Sequence, residues 1–109
     1  MNHVSTLRLE GELTIYCAQE TRQQLQQALA GMDTHAAPTL EIDLSGVVEA
    51  DTAGMQLLLA ARRQAQALGG EVALKDCSPA VAEVMALLGL APYFDAQGAA
   101  GQIFGQEAS

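Results

Sequence analysis

Between Leu40 and Gly70 the spacing of apolar residues changes from two to 3.6, and that change constrains the fold more than any other feature of the chain. Leu40, Ile42 and Leu44 alternate with Glu41 and Asp43, as in a strand with one buried face. Ser45-Gly46 breaks the alternation. After Val47 to Ala50 comes a cap-like Asp51-Thr52. A long helix follows in which Gly54, Leu57, Leu58, Ala61, Ala65 and Leu68 share one face and Gly69-Gly70 supplies the stop. Small residues along that stripe let the helix lie close to a sheet.

Similar patterns flank this segment. Val4 to Leu9 reads as a strand ending in a turn at Gly11, and Leu13 and Ile15 repeat the alternation, giving a hairpin or two adjacent strands. From Cys17 onward, Ala18, Thr21, Leu25, Ala28 and Leu29 fall on one helical face and glutamines cover the other, until Gly31. Glu71 to Lys75 makes a further strand, and Ser78-Pro79 opens a last helix with Val81, Val84, Met85 and Leu88 inward, closing at Gly89. This order predicts an α/β fold: a single mixed, mostly parallel sheet of about four to five strands with helices packed on it, joined by right-handed crossovers. The domain is expected over residues 1–97. Residues 98–109, rich in Gly, Ala and Gln and anchored only by Ile103 and Phe104, are expected to be a weakly ordered tail.

Length and composition remove several classes of function. A chain of 109 residues builds one core. Thirteen acidic against five basic residues give a net charge of −8, which repels phosphate backbones and anionic lipid, so nucleic acid is not expected as a partner. No apolar run approaches the roughly 18 residues of a spanning helix, and Met1-Asn2-His3 begins no basic-then-apolar leader. A cytoplasmic protein without direct membrane insertion is therefore expected. His3 and His35 are isolated, and Cys17 and Cys77 belong to no Cys-x-x-Cys pair, so metal-ligand spacing is absent. The two cysteines are either reduced, packed residues or, if the fold brings them together, a redox pair.

Catalysis and cofactors are not expected either. The chain has no Gly-x-x-x-x-Gly-Lys loop, no Gly-x-Ser-x-Gly elbow and no histidine placed as a base in a recognisable motif. Asp43 and Asp51 are the one conceivable carboxylate pair, but Asp43 lies mid-strand, opposite the core face.

The stretch from Asp43-Leu44-Ser45-Gly46 to Asp51-Thr52-Ala53-Gly54, followed by Met55-Gln56-Leu57-Leu58-Leu59, resembles the STAS domain (sulfate transporter and anti-sigma-factor antagonist). That family's hallmark is a strand reading Asp-Leu-Ser, then Asp-Ser/Thr-x-Gly-Leu at a helix start. Gly11-Glu12-Leu13, Gly69-Gly70 and Val84 through Gly89-Leu90 extend the resemblance over nearly the whole chain. It implies a non-catalytic protein that docks onto others. In some members the hydroxyl after the motif Asp is phosphorylated by a partner kinase, which weakens binding to a kinase that also sequesters another protein; that position falls on Thr52. Other members are standing subunits, for instance in lipid-transport ABC complexes, or are encoded with chemosensory systems. The implied partner is thus a kinase of the anti-sigma or chemosensory type, or a transporter ATPase. One departure stands out: phosphorylated members commonly carry an Asp in the second strand that helps engage the kinase, and here that position is Thr14.

The expected binding residues are Asp51, Thr52, Gly54, Met55, Thr14 and Tyr16. Thr52 is either a helix cap or the phosphoacceptor, since a helix N-terminus offers unpaired amides and a favourable dipole. Asp51 either accepts from the same amides or meets a partner's base or metal. Gly54 allows close approach of the sheet beneath or of a partner above. Met55 and Leu59 are either a soft docking patch beside Thr52 or ordinary core, and Tyr16 is either an interface aromatic or a half-buried packing residue. A small-ligand pocket beyond the carboxyl ends of the strands is a third, separate reading.

Overall fold

The computed structural model describes residues 4–33 and 37–94, so the tail expected over 98–109 lies outside the described residues. Strands β1 (Val4–Leu13), β2 (Thr39–Ala50) and β3 (Glu71–Lys75) form a sheet in the order β1-β2-β3, with both pairings parallel. Helices α1 (Ala18–Ala30), α2 (Thr52–Ala67) and α3 (Pro79–Leu88) follow the strands in turn. Short 3-10 turns at Ile15–Cys17 and Ala91–Tyr93 complete the described chain.

Among the described residues the sheet thus has three strands, all parallel, where four to five in a mixed sheet were expected. The difference arises at Gly11 and Ser45-Gly46. Gly11 takes φ +81, which an L side chain rarely adopts, yet the chain does not reverse there. Instead the register slips between Arg8 and Glu10, paired with Asp43 and Gly46, and again between Gly11 and Glu12, paired with Val47 and Glu49. At each slip β2 carries the extra residue, as in a bulge. The alternation therefore changes phase, Leu44 and Val47 both being buried, but the strand continues to Ala50. Ile15, read as strand, lies in the 3-10 turn.

One core unites the sheet and the three helices. Leu40, Ile42 and Leu44 of β2 and Leu74 of β3 are fully buried with Leu58 and Ala65 of α2 and Val81 and Met85 of α3. Burying each of the large side chains stabilises the fold by about 1.5–3 kcal/mol. Leu25 and Leu29 of α1 join the same cluster. The register also aligns Arg8, Asp43 and Lys75, and Lys75 Nζ lies 3.8 Å from Glu41 Oε1, so these polar residues share the opposite face.

Local chemistry sets the start of α3. Ser78 is buried, its Oγ accepts from the Val81 amide at 3.3 Å, and Pro79 begins the helix. Ser78→Ala is expected to lower unfolding free energy by about 1 kcal/mol in urea titrations, with the urea dependence unchanged.

Candidate docking face at the start of helix α2

The end of β1 and the start of α2 are held together by one carboxylate. Asp51 is the N-cap of α2: its Oδ1 accepts from the Gly54 amide at 3.1 Å and its Oδ2 from the Ile15 amide at 3.1 Å. The Asp51 amide in turn donates to the Leu13 carbonyl at 3.2 Å. Gly54 makes this closeness sterically possible. A Cβ there would run into the Leu13 carbonyl oxygen and sit 2.7 Å from Leu13 Cγ. Of the two approaches that a glycine here allows, the structure uses the one toward the sheet.

With Asp51 as cap, the neighbouring residues divide into exposed and buried sets. Thr52 is the first residue of α2 and is exposed. Tyr16 is 89% and Ile15 61% exposed, so Tyr16 is not a half-buried packing residue. Val48, at the second register slip, is 71% exposed. Ile15 and Ala53 line one depression, which places the 3-10 turn against the first turn of α2.

Met55, by contrast, is 1% exposed and belongs to the core, so it presents no soft docking patch. Leu59 is half-buried and packs against that core. Thr14 is buried too, and its Oγ1 donates to Glu12 Oε1 at 3.1 Å, which removes it from any surface a partner touches. Sequence reasoning missed Ile15 and Val48 as exposed residues. The signal for Val48 was the broken alternation at Ser45-Gly46, where a bulge in β2 turns the next side chain outward, whereas Ile15 is exposed because the 3-10 turn ends the strand pattern before it.

The carboxylate pair considered from the sequence is not a pair. Asp43 and Asp51 are separated by most of the second half of β2, roughly 25 Å of extended chain, against less than about 10 Å for carboxylates that share one reaction. The Ser45 amide, donating to Asp43 Oδ1 at 2.9 Å, holds the Asp43 carboxyl below its ordinary value, with Arg8 and Lys75 adding to the effect. That direction suits a permanent anion and not a proton donor.

Cys17 and Cys77 are free and half-buried. Desolvation raises the Cys17 thiol, helped by the Glu12 and Glu20 charges, and burial raises Cys77, helped by Asp76. Both are therefore poor thiolates, contrary to what a reactive redox pair needs. Among the described residues no group of His, Cys, Asp and Glu could hold a metal ion, and no helix is long and apolar enough to cross a membrane.

Asp51→Ala removes a cap and a tie between two elements at once. It is expected to cost about 1–2 kcal/mol in urea unfolding, with Asp51→Asn recovering only part of the loss, because its one amide oxygen can accept from Gly54 while its NH2 group faces the Ile15 amide donor to donor.

A family model described as "Mlab, STAS domain" matches residues 2–92. A search of curated protein sequences finds no match. Among solved structures, the fold is similar to an anti-sigma factor antagonist from Mycobacterium paratuberculosis, at 22% identity and TM-score 0.74 over 100% of this chain and 89% of that one. It is similar to the Bacillus cell fate determinant SpoIIAA in its phosphorylated form, at 24% identity and TM-score 0.61 over 94% and 90%. The SulP transporter STAS domain from Vibrio cholerae is similar at 14% identity and TM-score 0.68 over 100% and 88%. At such identities these structures speak for the fold, and the family model, which spans most of the sequence, speaks for descent: the chain belongs to the STAS domain family.

Proposed function

We propose that this protein is a non-catalytic docking regulator that works in the cytoplasm and binds a protein partner through the surface around Thr52. The observation that carries this reading is the division of labour at the start of α2. Asp51 takes the capping bonds, which leaves the Thr52 hydroxyl exposed and without a structural duty. Ile15, whose amide bonds Asp51 beside Thr52, and its chain neighbour Tyr16 are large side chains that folding leaves in water. An exposed aromatic of this kind is a typical interface anchor. Asp51, and Gly54 beneath it, support the surface from within.

Two modes of docking follow from the same face. In the first, the protein is a constitutive STAS subunit of an ABC-type lipid-transport complex, with the transporter ATPase as partner. The Mlab description of the family model supports this mode, and so does Thr14, because the position that carries a kinase-engaging acid in phosphorylated members holds a buried hydroxyl turned onto Glu12. In the second, the protein is an anti-sigma-factor-antagonist-like or chemosensory adaptor, switched by a partner kinase at Thr52. Thr52's place in the first turn of α2 supports that mode, since the helix dipole favours negative charge there. Phosphate would add about −1.5 to −2 charges beside Glu49 and Asp51 and change the surface more than the fold.

The test is gentle recovery of the tagged protein from its native host, with mass spectrometry of both the partners and Thr52. A stoichiometric transporter complex, insensitive to phosphatase and with Thr52 unmodified, is the outcome of the first mode. A kinase partner with partial phosphate on Thr52 is the outcome of the second. Recovery of free monomer alone, under conditions that keep other assemblies intact, would sink both.

A further inference from the structure

Helices α1 and α2 leave a groove between them that the Thr52 face does not account for. Its floor is the half-buried Leu57 and Ala60, with the buried Leu25 beneath, and it opens at one end toward Ile15 and Ala53. Two connected hollows of about 200 and 580 Å³ make it up, sharing Leu57 and Ala60. From Ala53 to Gln64 it follows α2 for about 16 Å, or three helical turns.

The charge along its rim is the opposite of the charge of the protein. The chain has five basic residues against a net charge of −8. Three of the five are engaged elsewhere: Arg8 Nε lies 3.1 Å from Glu10 Oε2, Lys75 Nζ 3.8 Å from Glu41 Oε1, and the Arg62 guanidinium 5.8 Å from the centre of the Tyr93 ring. The remaining two, Arg22 and Arg63, both line the groove, both are exposed, and neither forms an ion pair among the described residues. Among the described residues no carboxylate lines it. A trough with an apolar floor, edged by Gln26, Gln56 and Gln64 and flanked by two unpaired cations on an otherwise acidic molecule, complements an apolar ridge flanked by anions.

The walls also restrict the shape of the occupant. Nearly all lining residues belong to α1 and α2, whose backbone groups are bonded within each helix, so there is no strand edge onto which an extended peptide could add. An occupant must bond its own backbone, as a helix does. An anionic bilayer is a poor alternative because the net charge repels it.

We infer that the α1/α2 groove receives an acidic amphipathic helix of a partner protein. Its apolar residues, at i, i+3 or i+4, and i+7, lie on the half-buried Leu57 and Ala60, and its carboxylates meet Arg22 and Arg63. This site goes beyond the Thr52 face and holds for either mode of docking there.

A phage-displayed library of random 16-residue peptides, selected on the intact immobilised protein, supplies the probe, with affinities read by fluorescence anisotropy. The expected winners are acidic and carry apolar residues at helical spacing. Their affinity falls at least tenfold in the double variant Arg22→Glu/Arg63→Glu and is restored when the peptide's glutamates become lysines. The thermal unfolding of the double variant, whose changes are at exposed positions, should match that of the parent. An empty selection, basic or unspaced winners, or winners indifferent to the double variant would overturn the inference. So would self-association of the parent that the double variant abolishes, because the occupant would then be a second copy. Loss of winner binding in Thr52→Glu alone would place the peptide on the Thr52 face and leave the groove without an occupant.

Discussion

Gly54→Ala is expected to destabilise the protein by about 1–3 kcal/mol, a fall in Tm of roughly 5–15 °C for a domain of this size. On an open helix surface the same change adds about 1 kcal/mol of stability, so the sign of the effect is the test. The reversal comes from the Leu13 backbone. An alanine Cβ would overlap the Leu13 carbonyl oxygen, and that oxygen already accepts from the Asp51 amide at 3.2 Å. Leu13 cannot give way easily, since its side chain is 1% exposed and part of the core. Relief requires the first turn of α2 to lift, which strains the two Asp51 bonds that tie β1 to α2. Thermal and urea unfolding of the variant decide the matter. A neutral or stabilising result would mean that α2 and β1 do not approach as closely as described.

Thr52→Glu is expected to have the contrasting profile, with stability within about 0.5 kcal/mol of the parent and partner binding reduced more than tenfold. The fold should tolerate the change because Thr52 is exposed and a negative charge in the first turn of a helix is favourable by about 0.3–1 kcal/mol. Binding should not tolerate it. In a docked complex the new carboxylate would be taken out of water beside Glu49 and Asp51, and an unpaired buried charge is costly. Thr52→Ser should retain the hydroxyl and the partner. The amount of partner co-purified per molecule of protein, with circular dichroism as the check on folding, measures both. Undiminished capture by Thr52→Glu would remove Thr52 from the interface and with it the proposed function.

These two positions also show where sequence reasoning reached and where it stopped. The Asp51-Thr52-Ala53-Gly54 stretch was legible as a helix start and as a family motif, because capping is local chemistry between residues three apart. Which of Asp51 and Thr52 does the capping was not legible. The answer depends on the Ile15 amide, which lies 36 residues earlier in the chain and becomes a second donor to Asp51 only when β1 and α2 meet. Met55 shows the same limit: its place in the helical pattern suited core and surface alike, and the packing of the elements into one core decided for core.

The sequence by itself determined the alternation of strand and helix, the apolar faces of α1, α2 and α3 except at their ends, where Leu68 and Leu88, read as inward, are exposed, the caps at Asp51 and Ser78, and the absence of recognisable catalytic or metal-binding motifs. All of these rest on periodicity, on short-range hydrogen bonding, or on residue types that are present or missing. Only the tertiary structure decided that β1 runs unbroken past Gly11, that Val48 and Ile15 face water, that Thr14 turns inward, and that Arg22 and Arg63 flank one groove. Each of these depends on register or on contact between elements far apart in the chain. A single extra residue in one strand moves every later side chain to the other face of the sheet, and no local pattern reports it.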